Sequence, residues 1–168
     1  MNIIRDINNL HSIEKNSLIL GDCLEVMPKI ESESIDMILC DLPYGRTQNR
    51  WDAIIPFDEL WKNYNRIIKS NGVIALFCDG MFMAELMVSN KKMWRYNLVW
   101  DKILPSGFLN ANRQPLRSHE EIVIFYKKQP TYNPQKFKGQ ANHSKGTSQK
   151  NTNNNYGKFE IEIGRAHV

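Results

Sequence analysis

Residues 17–45 read SLILGDCLEVMPKIESESIDMILCDLPYG, and the fold is decided there. Ser17–Leu20 is a short apolar run halted by Gly21, with Asp22 placed to cap a helix over Cys23–Lys29. Ile35–Cys40 is a second apolar run, ended by Asp41-Leu42-Pro43-Tyr44-Gly45. Apolar runs of strand length separated by helices predict strands buried on both sides, hence a largely parallel sheet. Further along, Asp58 is expected to cap a helix reaching about Lys69, with Leu60, Trp61, Tyr64, Ile67 and Ile68 on one face. Asn71-Gly72 stops it, Val73–Cys78 is a third buried strand, and Met81–Asn90 reads as a helix with Asp79 as its cap. Tyr96–Trp100 and Glu121–Tyr126 are two more strands, joined by a long loop over Lys102–Ser118. The predicted class is α/β with helices on both faces of the sheet. In such sheets ligands bind beyond the carboxyl ends of the strands, which puts Gly21-Asp22, Asp41–Gly45 and Cys78-Asp79 on one rim.

The length, 168 residues, suits one domain on the usual scale of roughly 100–200 residues. With 42% hydrophobic and 24% charged residues, collagen-like, coiled-coil and wholly disordered chains are excluded. No apolar run approaches the ~18 residues of a membrane span, and the start MNIIRDINNL carries no signal-peptide core. Cys23, Cys40 and Cys78 are odd in number and widely spaced. They suit neither a disulfide framework nor a metal site, and point to reduced thiols in a cytoplasm. The net charge of +4 is uneven: seven lysines lie between Lys127 and Lys158 with no acid among them. Lysines that neutralise phosphates release counterions, so residues 127–158 are the expected contact for a polyanion. Their plainer reading is a solvated Lys/Asn-rich segment.

Chemistry is concentrated in Asp41-Leu42-Pro43-Tyr44. An aspartate supplies an acceptor-only carboxylate, able to take a hydrogen bond from an exocyclic amine. Pro43 fixes the backbone, so that a neighbouring carbonyl points one way and accepts a second N–H. Tyr44 offers a flat face on which a heterocycle can stack. Two acceptors and a platform make a grip for an aromatic amine; four residues alone also read as a turn with a capping Asp.

These residues and their flanks resemble the amino-methyltransferases of DNA, which methylate N6 of adenine or N4 of cytosine with S-adenosyl-L-methionine. The likeness runs from about residue 17 to 134 and includes NLVWDKILPSGFLNANRQPLRSHEEIVIFYKK, residues 97–128. The family signature is Asp/Asn/Ser-Pro-Pro-Tyr, and here Leu42 replaces the first Pro. Asp41 argues against the protein-directed branch, which carries Asn, and favours adenine over cytosine, where Ser is more frequent. The resemblance implies a Rossmann-like methyltransferase sheet, S-adenosyl-L-methionine as cofactor, no metal, and double-stranded DNA as partner. It implies catalytic roles for Asp41, Leu42, Pro43 and Tyr44: the Asp41 carboxylate and the Leu42 or Pro43 carbonyl hold the amine for direct in-line transfer. The base must be flipped from the duplex, with Tyr44 as one stacking face and Phe108 or Trp51 as candidates for the other. Asp22, Cys23 and Asp41 are carried over as cofactor contacts, a role compatible with a helix cap at Asp22. Arg113, Arg117 and His119 lie in or just after the long loop, placed to touch phosphates or to order it, and a lone His at a strand start, as His119 is, reads as structural.

The family's Gly-rich cofactor turn has no counterpart in the sequence, because Lys138-Gly139 and Lys145-Gly146 follow no apolar strand. A permuted subgroup carries that turn last, an order this chain matches, so a C-terminal truncation is expected. Ile163–Val168 reads as the translation of ATCGGAAGAGCACACGTC, which resembles the start of a short-read sequencing adapter. The expected plan is a catalytic part over 1–134, a basic linker or start of a target-recognition region over 135–162, and an adapter-derived tail over 163–168. The resemblance further implies that Ser17–Leu20 and Ile35–Cys40 are not neighbours in the sheet. On that expectation the chain alone exposes unpaired strand edges and apolar surface, and binds the cofactor no tighter than millimolar. The alternatives are a cytosine-N4 methyltransferase and a non-catalytic DNA-binding remnant.

Overall fold

Residues 2–5 and 13–135 are described by the computed structural model. The chain divides into two units, Met1–Pro130 and Thr131–Val168. The described part of the second, residues 131–135, holds no helix or strand. Most of the expected basic linker, and the whole of the 163–168 tail, lie outside the described residues.

In the first unit, β3 (Ile35–Asp41) and β4 (Ile68–Cys78) run parallel, in register from Met37↔Val73 to Asp41↔Phe77. The chain crosses between them through α2 (Phe57–Ile67), which buries Leu60, Trp61, Tyr64 and Ile67, one face at helical spacing. Near its end Arg66 donates to the Met27 carbonyl at 2.6 Å and to the Ile30 carbonyl at 2.7 Å. These carbonyls belong to the tight turn that continues α1 (Cys23–Val26). Asp22 caps α1 as expected, its Oδ1 accepting the Leu24 N–H at 2.8 Å. β2 (Ser17–Ile19) pairs in parallel with β1 (Asn2–Ile4) and not with β3. The predicted separation of the two apolar runs is therefore present, while β1, three residues long, is too short to signal itself.

β5 (Trp94–Ser106) and β6 (Arg117–Phe125) complete a sheet in the order β3-β4-β6-β5. Both β4–β6 and β6–β5 are antiparallel, which corrects the expectation of a largely parallel sheet. The cause is the hairpin: β5 and β6 need no crossover helix, so none separates them. The long loop shrinks accordingly to Gly107–Leu116, because both strands extend beyond their most apolar stretch. Three boundaries also move. No side chain caps α2, Pro56 standing at its N-cap and Asp58 in its first turn, where the carboxylate favours the helix dipole. Asn71-Gly72 lies inside β4 and stops nothing. A Cβ on Gly72 would come within 2.7 Å of the Ile68 side chain and 2.9 Å of the Asp36 carbonyl, so glycine there allows β3 and β4 to approach. α3 spans Gly80–Ser89, and Asp79 makes no capping bond.

Alternation along the strands sorts the sheet's two faces. Ile74, Leu76, Cys78, Val123 and Phe125 pack with Leu60, Trp61, Phe82 and Leu86 into the main core, against which Cys23 and Leu24 of α1 also lie. Ala75, Ile122 and Ile124 form a smaller cluster on the opposite face with Val73 and Phe77. Among the described residues the three helices contribute to the main core. No helix among them is long and apolar enough to cross a membrane.

Candidate functional site

Asp41 is the last residue of β3, beside Phe77 near the end of β4, so its carboxylate stands at the sheet's rim. The next residue, Leu42, which stands where the signature carries Pro, is buried in the core. Tyr44 donates its hydroxyl to Asp41 Oδ1 at 2.9 Å. Its ring stacks on Phe82 of α3, with centroids 5.0 Å apart and planes at 25°. Burial, and then the bond to Asp41, push the Tyr44 phenol well above its ordinary value, so it stays a donor. One face of Tyr44 is thus occupied by Phe82, and its hydroxyl orients the carboxylate.

The following loop is built around Asp52, a residue only 8% exposed. Its carboxylate accepts the backbone N–H groups of Gly45 at 2.9 Å, Arg46 at 2.8 Å and Thr47 at 2.6 Å. The Thr47 N–H foremost, with the other two, lowers the Asp52 pKa to about 2. Gly45 makes the turn at φ +67°, and a Cβ there would meet Ile54 at 2.9 Å. Arg46 then reaches Asp79 beyond the end of β4: Nη1 donates to Oδ2 at 2.8 Å and Nη2 to the backbone carbonyl at 3.0 Å. Arg117, opening β6, donates to the same Asp79 oxygen. A cleft of about 330 Å³ results, lined by Asp41–Tyr44, Arg46, Thr47, Trp51, Asp52 and Arg117. Trp51 is 73% exposed at its edge.

A family model described as DNA methylase, for the N6 and N4 enzymes, matches residues 35–161. The chain belongs to this N6/N4 DNA methylase family. The type II methyltransferase M.HinfI of Haemophilus influenzae is 30% identical to this methylase chain over 135 residues, 64% of the chain and 37% of the relative. M1.MboII of Moraxella bovis is 25% identical over 133 residues, 72% of the chain and 50% of the relative. Among solved structures, an M1.HpyAVI–SAM complex superposes with a TM-score of 0.54 at 16% identity, covering 83% of this chain and 63% of the other. The cytosine-N4-specific PvuII DNA methyltransferase gives 0.56 at 14% identity, covering 73% and 53%. These structures share the fold. The methylase chain spans between 37% and 50% of the length of the two sequence relatives.

Of the expected catalytic residues, Asp41, Leu42, Pro43 and Tyr44 all line the cleft. Asp22 and Cys23 do not: they follow β2, with Cys23 packed against the core. Asp22 is exposed and already serves as the α1 cap. An exposed carboxylate can accept hydrogen bonds from hydroxyl or ammonium groups, the donors that S-adenosylmethionine carries. Burial raises the pKa of Cys23 and Cys40, and burial followed by the Glu121 charge pushes the Cys78 thiol up to about 12. All three remain thiols at neutral pH, as small apolar residues do in a core. Trp51 reaches the cleft; Phe108, in the short turn Phe108–Asn110, does not line it. Sequence reasoning passed over Asp52 and Arg46, and gave Asp79 a capping role that its two arginines displace. Nothing in the composition of the loop marks Asp52, since loop aspartates are ordinarily solvated.

Proposed function

We propose that the protein carrying this chain methylates N6 of adenine in double-stranded DNA, with S-adenosyl-L-methionine as methyl donor. The observation that supports this reading is the Asp41 carboxylate, exposed at the end of β3 and steadied by the Tyr44 hydroxyl at 2.9 Å. The adenine amine is a poor nucleophile because its lone pair is delocalised into the ring. Asp41 accepts one of its N–H groups, and the Leu42 or Pro43 carbonyl accepts the other. Both bonds favour a pyramidal nitrogen and localise the lone pair. The flipped base stacks on the face of Tyr44 that Phe82 leaves uncovered. Asp22, Cys23 and Asp41 are the residues to hold the cofactor. When bound, it would supply a methyl group on a sulfonium whose thioether is the leaving group, and the methylated amine would release one proton to solvent. No cysteine takes part. The lysines of residues 127–158 are the proposed contact with DNA phosphates, and the setting is the cytoplasm of a bacterium, from the host or a phage.

The test is chemical. DNA modified by the protein is hydrolysed, and N6-methyladenine is the expected product. N4-methylcytosine alone would move the assignment to cytosine, and no methylated base at all would favour the non-catalytic remnant. Asp41→Ala is expected to abolish transfer in a single-turnover assay, since it removes the amine's acceptor. Near-wild-type rates in that variant would take Asp41 out of the mechanism.

A further inference from the structure

The cleft has two poles of opposite character. Asp41 stands at one. At the other, the guanidinium groups of Arg46 and Arg117 converge on the single Asp79 carboxylate, two cations on one anion. The other acids nearby keep their charge but have partners other than these two guanidinium groups. Asp52 is saturated by three backbone N–H groups, Glu120 is paired with Lys102, and Glu121 accepts from the Asn97 amide. The seat of Arg46 is also built in. Gly80 has φ +53°, and a Cβ there would lie 2.3 Å from Arg46 Nη2, so the absent side chain is the space that the guanidinium fills. Asp79 is the most enclosed of the three side chains at 19% exposed, against 36% for Arg46 and 48% for Arg117. Both arginine side chains therefore remain partly exposed, and both line the cleft.

We infer that Arg46 and Arg117 form a phosphate site for the target nucleotide, with Asp79 as the positioning residue that holds them. The inference rests on reading Asp41 as the acceptor for the base amine. A flipped nucleotide carries a hydrogen-bond-donating amine at one end and a phosphodiester at the other, which is the polarity of this cleft. Guanidinium groups suit phosphate because their planar forks give paired, charge-assisted bonds. Asp79 costs the site one charge but fixes two flexible side chains before the nucleotide arrives, which lowers the ordering cost on binding. The phosphate on either side of the nucleoside offers this chemistry, so the probe carries both.

Calorimetric titration with deoxyadenosine and with deoxyadenosine 3′,5′-bisphosphate tests the clamp. The bisphosphate is expected to bind roughly tenfold or more tightly than the nucleoside at low salt, an advantage that shrinks as salt rises. Arg46→Gln and Arg117→Gln should each erase most of that advantage and leave deoxyadenosine affinity alone, which also reports that the variant is folded. Arg46→Lys should restore part of it. Asp79→Asn is the sharper variant: it makes the site more positive, yet the bisphosphate advantage should fall because the arginines lose their anchor. Equal affinities for the two probes in the unaltered protein would overturn the clamp. So would an advantage that survives both glutamine variants, or one that grows in Asp79→Asn. Deoxyadenosine binding that is lost in Asp41→Ala while the two probes bind equally sinks the clamp alone. Failure of both probes to bind sinks the reading of Asp41 and the clamp with it.

Discussion

Three successive backbone N–H groups converge on Asp52, and a carboxylate so placed ties the stability of the loop to pH. Its folded pKa of about 2 lies below the ordinary aspartate value of about 3.9. Between those two values the unfolded chain binds more protons than the folded one, so stability rises with pH there. The contribution is complete above the unfolded value and is lost as pH falls through the folded one. Asp52→Asn removes the charge and turns an amide toward N–H donors. Melting followed by circular dichroism should therefore find the variant less stable near pH 7. The gap between variant and parent should narrow as pH falls from about 4 to about 2. A gap that stays constant across that window would mean that the three N–H bonds do not stabilise the folded state.

At the scale of the element, Asp22 joins a structural role that is visible to one that is proposed. As the cap of α1 it satisfies the Leu24 N–H, and replacing such a residue by Ala costs about 1 kcal/mol. Asp22→Ser retains a capping oxygen and removes the charge. Denaturant unfolding should show Asp22→Ala destabilised by about 1 kcal/mol and Asp22→Ser close to the parent. If Asp22 also holds S-adenosylmethionine, both variants should weaken cofactor binding. Unchanged binding in the serine variant would leave Asp22 a cap and nothing more. Elsewhere the elements follow their side chains closely. α2 is set by Leu60, Trp61, Tyr64 and Ile67, and Arg66 fastens its end to the turn after α1 by two bonds to carbonyls.

For the molecule as a whole, the sheet face opposite the main core leaves large apolar side chains in water. Leu39 is 60% exposed, Trp100 53% and Leu98 49%, all on the side of Ala75, Ile122 and Ile124. Large apolar side chains left in water on one sheet face favour association. The 168-residue chain is expected to self-associate with rising concentration and to bind an apolar dye. Leu39→Lys with Leu98→Lys should reduce both while changing stability by no more than about 0.5 kcal/mol per site, because neither side chain is packed in the main core. Sedimentation velocity over a concentration series checks this. A monomer at every concentration, without dye binding, would contradict it.

Much of this organisation is legible along the chain, because it depends on neighbours in sequence. The apolar runs at Ser17–Leu20, Ile35–Cys40 and Val73–Cys78, the amphipathic face of α2, the cap at Asp22 and the turn at Asp41–Gly45 are all local patterns of spacing and residue type. Asp41 and Tyr44 are three residues apart, so even their hydrogen bond lies within reach of a local reading. The direction of β6 was not legible, since a strand's partner is chosen by long-range packing and an apolar run looks the same in either orientation. The rest of the cleft was hidden for the same reason. Arg46 meets Asp79 across 33 positions and Arg117 meets it across 38, and no periodicity records such a contact. By itself the sequence determined which residues are apolar, where the chain turns and which acid ends β3. Only the tertiary structure decided what that acid faces, because burial and charge pairing belong to the folded chain and are absent from the extended one.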